Sequence, residues 1–309
     1  MSYKLLMVRS GRESRAALLI GDAVYDAARV TNHAAWSTTH AALAEWPKAS
    51  RAFADAAKRI AAGKSRIKGT PLKRVKLDAP LQPGDIFCAG ANYKDHVAEM
   101  DRAQGKEPGP TIKDLGELPW HFVKTGASSV VGPNAIVKRP AYTQWLDWEI
   151  ELGAVIGRTA KDVPAAKALS YVAGYTIGND LSARDAMRRD KVAGTSPFHY
   201  DWVSQKCFDG SCPLGPWIVP ASEIKNPHVL AMKLWVGDEL MQDSNSSNLI
   251  FDIAEQIAML SSRVTLRPGD LILTGTPAGV GMGRKRFLQP GETVRLWIEK
   301  IGEFSHRIG

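Results

Sequence analysis

Three turns of one chemistry, "LQPGD" (81–85), "LRPGD" (266–270) and "LQPGE" (288–292), each deliver the chain into an apolar run of strand type. Proline pre-sets φ and glycine accepts positive φ, so Pro-Gly-acid is a tight reversal, and reversals feeding apolar runs point to sheet. The three spacings are unequal, so the turn is a reused device and not a repeat architecture. Further strand candidates are "WHFVK" (120–124), "AIVKR" (135–139), "WEIELGAVIG" (148–157), "VAGYTIGN" (172–179), "CPLGPWIV" (212–219) and "LAMKLWV" (230–236). The last runs through Gly237-Asp238 into "ELMQD", a hairpin signal. One long helix is expected in this region, over 249–262, where Ile250, Ile253, Ile257 and Leu260 form a helical stripe. Strands outnumber helices and no strand-helix-strand rhythm appears. The expected class is α+β, mainly β, with a largely antiparallel or mixed sheet, rolled or sandwiched.

A small N-terminal module precedes this region. "YKLLMV", a turn around Gly11 and "AALLIGDAVYDA" alternate like a hairpin, and alanine-rich stretches at about 33–46, after Asn32, and 51–62, after Ser50, read as helices. With 309 residues the chain has room for two units, and the expected division is 1–75 and 76–309, near Gly69, Pro71, Pro80 and Pro83. The net charge of +8 is local. Eight of the 40 basic residues lie between Lys58 and Lys76 with no acid among them, and the remaining 32 balance 32 acids. No aromatic interleaves with that charge, so the segment reads as a solvated linker and not as a nucleic-acid surface. No membrane-length apolar run and no signal-peptide pattern occur, and Cys88, Cys207 and Cys212 are odd in number and lack ligand spacing. A cytoplasmic protein with reduced thiols is expected.

Three constellations could carry chemistry. In a strand, Glu149 and Glu151 share a face about 7 Å apart at Cα, either as a polar face in water or as two arms of a cation site. Asp180 ends the strand-like "GYTIGN" and could present its carboxylate into a cleft; a polar turn and a short helical piece containing Arg184 and Asp185 follow. In "GANYKDHVAEM", Asn92 is expected to cap a helix with Asp95 at its third position, which puts His96 and Glu99 on one face. A carboxylate beside an imidazole raises its basicity, as a water-activating base requires.

Taken together, "GANYKDHVAEM", "FVKTGASSVVGPN", "DWEIELGAVIG", "GYTIGNDLSARD", "SQKCFDGSCPLGPWIV" and "LILTGTPAGVG" resemble the fumarylacetoacetate hydrolase family, in its order, over about 84–300. The resemblance implies a mixed β-sandwich roll, usually dimeric. It implies a divalent cation, Mg²⁺ foremost with Mn²⁺ or Ca²⁺ as alternatives, on Glu149, Glu151 and Asp180. His96 and Glu99 match a water-activating dyad, Lys206 a lysine that holds substrate or its enolate, and Arg184, Lys124, Tyr93 and Thr276 substrate-binding positions. The implied partners are a small 2-oxo acid and a second copy of the chain, with no nucleic acid and no membrane. The implied activity is hydrolysis of a C–C bond in an acylpyruvate, with isomerase, hydratase or decarboxylase chemistry available to the same site. Two departures stand out: Met187 where the family often has Gln, which suits a less polar acyl tail or another anchor, and Ala127 where Pro is frequent. The polar stretch 101–118 after the dyad reads equally as a lid or as a surface loop.

Overall fold

The computed structural model describes residues 2–11 and 13–309, with the Ala127 side chain, and so the departure at that position, outside the described part. The strand at the centre is Ile150–Ile156, buried along its whole length. It pairs antiparallel with Val172–Asn179 on one side and with Leu271–Leu273 on the other. Val172–Asn179 pairs onward with Cys212–Pro220. Leu271–Leu273 lies parallel to Ile86–Ala89, which pairs antiparallel with His121–Lys124. A second sheet contains Glu239–Asn245, Ala231–Val236, Thr293–Ile298, Gly302–Ile308 and Ile136–Val137 in that order. The fold is α+β with large mixed sheets, as the turn and strand pattern implies.

The central strand reads as a continuous apolar run because both faces are covered. On one side Val155, Leu271 and Leu273 share a core with Phe53, Ala56 and Leu18 of the N-terminal part. On the other, Leu152 and Ala154 share a core with Leu234 and Leu296 of the second sheet and with Ile257 of the helix Ile253–Arg263. The N-terminal strands Lys4–Ser10, Glu13–Ile20 and Ala23–Asp26 form a meander whose first strand joins the central sheet at Leu5↔Ile218. Sheet and core therefore both run across the 75/76 division.

Two helix expectations need correction. The N-terminal helices are Ala27–Thr31, Thr39–Ala44 and Trp46–Ala61, not 33–46 and 51–62. Asn32 ends a helix in the left-handed conformation (φ 54°), Thr38 caps the next, and Pro47 opens the third, where its missing N–H is no loss. The long helix starts at Ile253, because Asp252 and Glu255 make a reciprocal capping box that fixes its first turn and leaves Ile250 in the lead-in. No helix among the described residues is long and apolar enough to cross a membrane.

One buried polar contact ties the two sheets beside the site. Asn179 Nδ2 donates to His306 Nε2 at 2.8 Å, and Asn179 Oδ1 accepts from Glu149 N at 2.9 Å. Burial pushes the His306 imidazole down from 6.5 to about 3, so the folded state holds it neutral. Stability from this group is complete above 6.5 and is lost as pH falls from 6.5 toward 3, since the unfolded chain takes up the proton first. The melting-temperature advantage of the parent chain over His306→Gln should therefore shrink steadily from pH 7 to pH 4 in thermal unfolding. A constant difference would show that His306 is not held neutral.

Candidate metal centre and catalytic site

Glu149 and Glu151 are 5% and 1% exposed, so the solvated-face alternative for them does not hold. Glu149 lies just ahead of the central strand and Glu151 on it, while Asp180 follows the neighbouring strand, whose Asn179 is registered against Ile150. One carboxylate oxygen from each of Glu149, Glu151 and Asp180 lies within 4.8 Å of the others. Antiparallel register thus gathers residues 29 to 31 apart in the chain.

Two buried cations, Lys206 and Lys124, and the partly buried Arg184 meet these acids. Lys206 Nζ bridges Glu149 Oε2 (3.0 Å) and Asp180 Oδ2 (2.6 Å). Lys124 Nζ donates to Asp180 Oδ1 (2.6 Å) and to the Leu181 carbonyl (3.1 Å). Arg184 Nε donates to Asp147 Oδ2 (2.8 Å), and its Nη2 stands 2.6 Å from Glu149 Oε1 without hydrogen-bond alignment. Burial would raise the Glu149 carboxyl, but Lys206 and Arg184 outweigh it and hold the group at about 2. Glu151 goes the other way. Burial, then the charges of Asp180 and Glu149, push its carboxyl well above the usual range, against one N–H from Gly275 at 2.7 Å. A buried carboxylate short of positive charge, beside two others, is a set of hard oxygen donors suited to a divalent cation.

The dyad is assembled as expected, on the helix Lys94–Ala103: His96 Nδ1 lies 3.2 Å from Glu99 Oε2. With the proton on Nδ1 and shared with Glu99, Nε2 is left as the basic atom. Burial raises the Glu99 carboxyl, but the His96 hydrogen bond and the Gly279 N–H (3.0 Å to Oε1) bring it below the ordinary range. A cleft of about 390 Å³ opens beside Glu99, lined also by Met241, Asp243, Gly279 and Arg284.

The other candidates divide. Lys124, Lys206 and Arg184 converge on the carboxylates. Tyr93 does not: it is wholly buried and its hydroxyl donates to Met232 Sδ at 3.1 Å, so it is a core residue on these contacts. The Thr276 hydroxyl is also engaged, donating to the Ile150 carbonyl (3.0 Å) and accepting from Gln242 Nε2 (2.9 Å), which fixes the loop against the central strand. Asn92 is not the helix cap; the helix follows Tyr93 without a side-chain cap. The Asn92 amide instead donates to the carbonyls of Phe251 (3.0 Å) and Thr274 (2.8 Å) and accepts from Phe251 N (2.8 Å). Asp95 accepts from Ser244 Oγ (2.5 Å), pinning the dyad helix to the second sheet. The stretch 101–118 is largely exposed and is held to the helix Ile253–Arg263 by Lys113 Nζ at 2.6 Å from Glu255 Oε1.

Two site residues went unnoticed in the sequence. Ser182 donates to Glu149 Oε1 at 3.1 Å, and Asp147, fully buried, holds Arg184. The signal for Asp147 was its place two residues before Glu149. The "LTGTPAGVGMG" loop then connects the parts: Gly275 N serves Glu151, Gly279 N serves Glu99, and Gly281 N serves Asp147.

Residues 85–309 match the family described as fumarylacetoacetate (FAA) hydrolase C-terminal, and the chain belongs to that family. Among its relatives, the mitochondrial oxaloacetate tautomerase Fahd2a of Rattus norvegicus is 37% identical over 242 residues, covering 77% of this chain and 71% of its own. The solved structure of a 5-carboxymethyl-2-hydroxymuconate delta-isomerase from Mycobacterium smegmatis is 36% identical with a TM-score of 0.64, covering 78% of this chain and 82% of that one. Maleylpyruvate hydrolase from Sphingobium sp. SYK-6, solved with manganese(II) and pyruvate, is 28% identical with a TM-score of 0.73 and covers 99% and 98%. Its family thus contains hydrolases, isomerases and tautomerases on one fold.

Gly279 sits at φ +99°, and a Cβ there would come within 2.1 Å of the Met241 carbonyl. Gly291 has a similar φ of +94° but open space around its Cβ. Both alanine variants should lose the conformational part, about 1–3 kcal/mol. Gly279→Ala should lose clearly more in chemical denaturation, the excess being the clash; equal losses would show that the loop yields there.

Proposed function

We propose that the protein is a divalent-cation-dependent hydrolase that breaks a C–C bond in a 2,4-dioxo acid of the acylpyruvate type. The observation that carries this reading is the three-carboxylate cluster joined by one loop to an imidazole-carboxylate dyad. Counted as ionised and with Asp147, four buried acids face Lys124, Lys206 and Arg184, one negative charge in excess, and that excess falls on Glu151. With a dication held by Glu149, Glu151 and Asp180 the excess becomes one positive charge, which suits an anionic substrate. The manganese and pyruvate in the maleylpyruvate hydrolase structure support the same chemistry here, with Mg²⁺ or Mn²⁺ as the resident ion.

The bound cation would supply Lewis-acid stabilisation of negative charge developing on the 2-oxo oxygen. His96 Nε2 takes a proton from water, and the resulting hydroxide adds to the distal carbonyl carbon. The C–C bond to the methylene carbon then breaks, and its electron pair leaves as the enolate of pyruvate. That enolate takes up the proton to give pyruvate and a carboxylic acid, so atoms balance with water as the only co-reactant. Glu99 stabilises the imidazolium during this step. Lys206, which bridges Glu149 and Asp180, would follow the developing enolate, and Arg184 would offer Nη2 to the substrate carboxylate.

A second reading, tautomerisation of oxaloacetate, is favoured by the 37% identity to the rat tautomerase. It needs proton transfer at C3 in place of water addition, and the same residues can perform it. Pyruvate release from acylpyruvates of graded chain length, set against enol-to-keto conversion of oxaloacetate, separates the two.

EDTA should abolish turnover in either assay, and Mn²⁺ should restore it. Glu151→Gln should lose Mn²⁺ binding and activity together. His96→Ala should keep Mn²⁺ while turnover falls by roughly 10²–10⁴. Full activity in His96→Ala would place the base elsewhere, and full activity after chelation would sink the cation.

The proposal carries a second copy of the chain as partner. Phe198 and Val203 are each 70% exposed, and Trp120, Tyr142, Trp145 and Tyr200 are exposed too. Trp120 and Trp202 rings lie 5.0 Å apart and the Tyr142 hydroxyl donates to the Ser204 carbonyl, so Trp120 and Tyr142 both border the helix Trp202–Lys206 that carries Val203. Light scattering should give twice 33.6 kDa for the parent and a monomer for Val203→Asp; a monomeric parent rejects the dimer.

A further inference from the structure

Asp147 has no assigned part in the reaction, yet its carboxylate is the most fully engaged in the site. Its Oδ1 accepts from Trp148 N (2.8 Å) and Gly281 N (2.6 Å), and its Oδ2 from Met282 N (3.1 Å) and Arg184 Nε (2.8 Å). It is wholly buried, and a Cβ on Gly281 would lie 2.7 Å from Oδ1, so the loop can approach only as glycine.

Arg184 therefore stands between two carboxylates. Its Nε edge is aligned on Asp147, while its Nη2 is close to Glu149 at 2.6 Å without alignment. A guanidinium with one carboxylate in reach takes it by two parallel N–H bonds, and a carboxylate so held is a poorer cation ligand. Two carboxylates divide the guanidinium between them.

Building on the metal reading above, we infer that Asp147 is a positioning residue: it fastens Arg184 by its Nε edge to the glycine loop, so that Glu149 stays available to a divalent cation and Nη2 to the substrate. The same carboxylate holds Gly281 and Met282, two and three residues past the Gly279 N–H that orients Glu99. One buried acid thus links the cation ligands, the substrate arginine and the dyad.

The tie is read without metal or turnover. In protein labelled with ¹⁵N-arginine, the parent should show a protected Nε–H resonance that is absent in Arg184→Lys. In Asp147→Asn that resonance should shift away from its parent position. For the cation, free Mn²⁺ measured by electron paramagnetic resonance should give a Kd roughly 10-fold higher in Asp147→Asn, as for other residues that orient metal ligands. Adding Arg184→Gln to Asp147→Asn removes both charges and should return Kd to within about threefold of the parent, because the two residues act as one unit. An unmoved resonance, or a double variant that binds no better than Asp147→Asn, overturns the inference. Should Asp147→Asn not fold, the parent resonance alone decides the tie: a parent Nε–H in the range of free arginine overturns the inference. A parent chain that binds no Mn²⁺ would sink the cation reading, while the resonance arm still decides the tie.

Discussion

Seven ionisable side chains, six of them buried and Arg184 partly so, are the constraint on which the rest of this structure depends. Removing a carboxylate from water costs several kcal/mol unless close partners compensate it. The chain meets that cost for Asp180 with two ammonium groups at 2.6 Å each, and for Glu149 with Lys206, Arg184 and the Ser182 hydroxyl. Glu151 is left with a single backbone N–H at 2.7 Å. The contrast is chemical. Two carboxylates are neutralised by the protein, and the third waits for charge from outside, so the cluster is incomplete as a salt-bridge network and complete as a cation site.

Topology supplies the donors at no cost in loop length. The adjacent strands Ile150–Ile156 and Val172–Asn179 bring Glu149, Glu151 and Asp180 together by register alone. Lys124 ends the strand His121–Lys124, and Lys206 ends the short helix Trp202–Lys206. The glycine loop then leaves the strand Leu271–Leu273 and closes over the site. It runs close enough for its N–H groups to reach three carboxylates, and a side chain at 279 or 281 would strike backbone at 2.1 or 2.0 Å. Close approach of backbone to carboxylate is what these glycines permit.

Legibility in the sequence followed the physics of spacing. Glu149 and Glu151, two apart, and His96 and Glu99, three apart, were readable because strand and helix periods place such pairs on one face. Asp180 was readable as a strand-end acid, and the resemblance joined it to the others. The roles of Tyr93, Thr276 and Asn92 were not, since a phenol, a hydroxyl and an amide serve a core or a turn as readily as a ligand. What decided them was long-range: Tyr93 meets Met232, Thr276 meets Gln242, and Asn92 meets Phe251. The N-terminal helices were misplaced for a local reason, because Ser50 looked like a cap while Pro47 in fact opens the helix.

The choice among reactions lies with the surroundings of the centre and not with the centre itself. Stabilising an enolate serves bond cleavage and tautomerisation equally, so the carboxylates and lysines cannot discriminate. Hydrolysis, unlike tautomerisation, needs a base aimed at water rather than at carbon. The His96 imidazole is nine-tenths buried, its partner Glu99 is oriented by the Gly279 N–H, and its helix is pinned through Asp95 to Ser244. A base fixed at three points is suited to activating one water in one place, whereas moving a proton between carbon and oxygen of a small enol asks for a base that reaches both. That rigidity supports the hydrolysis proposed above over tautomerisation.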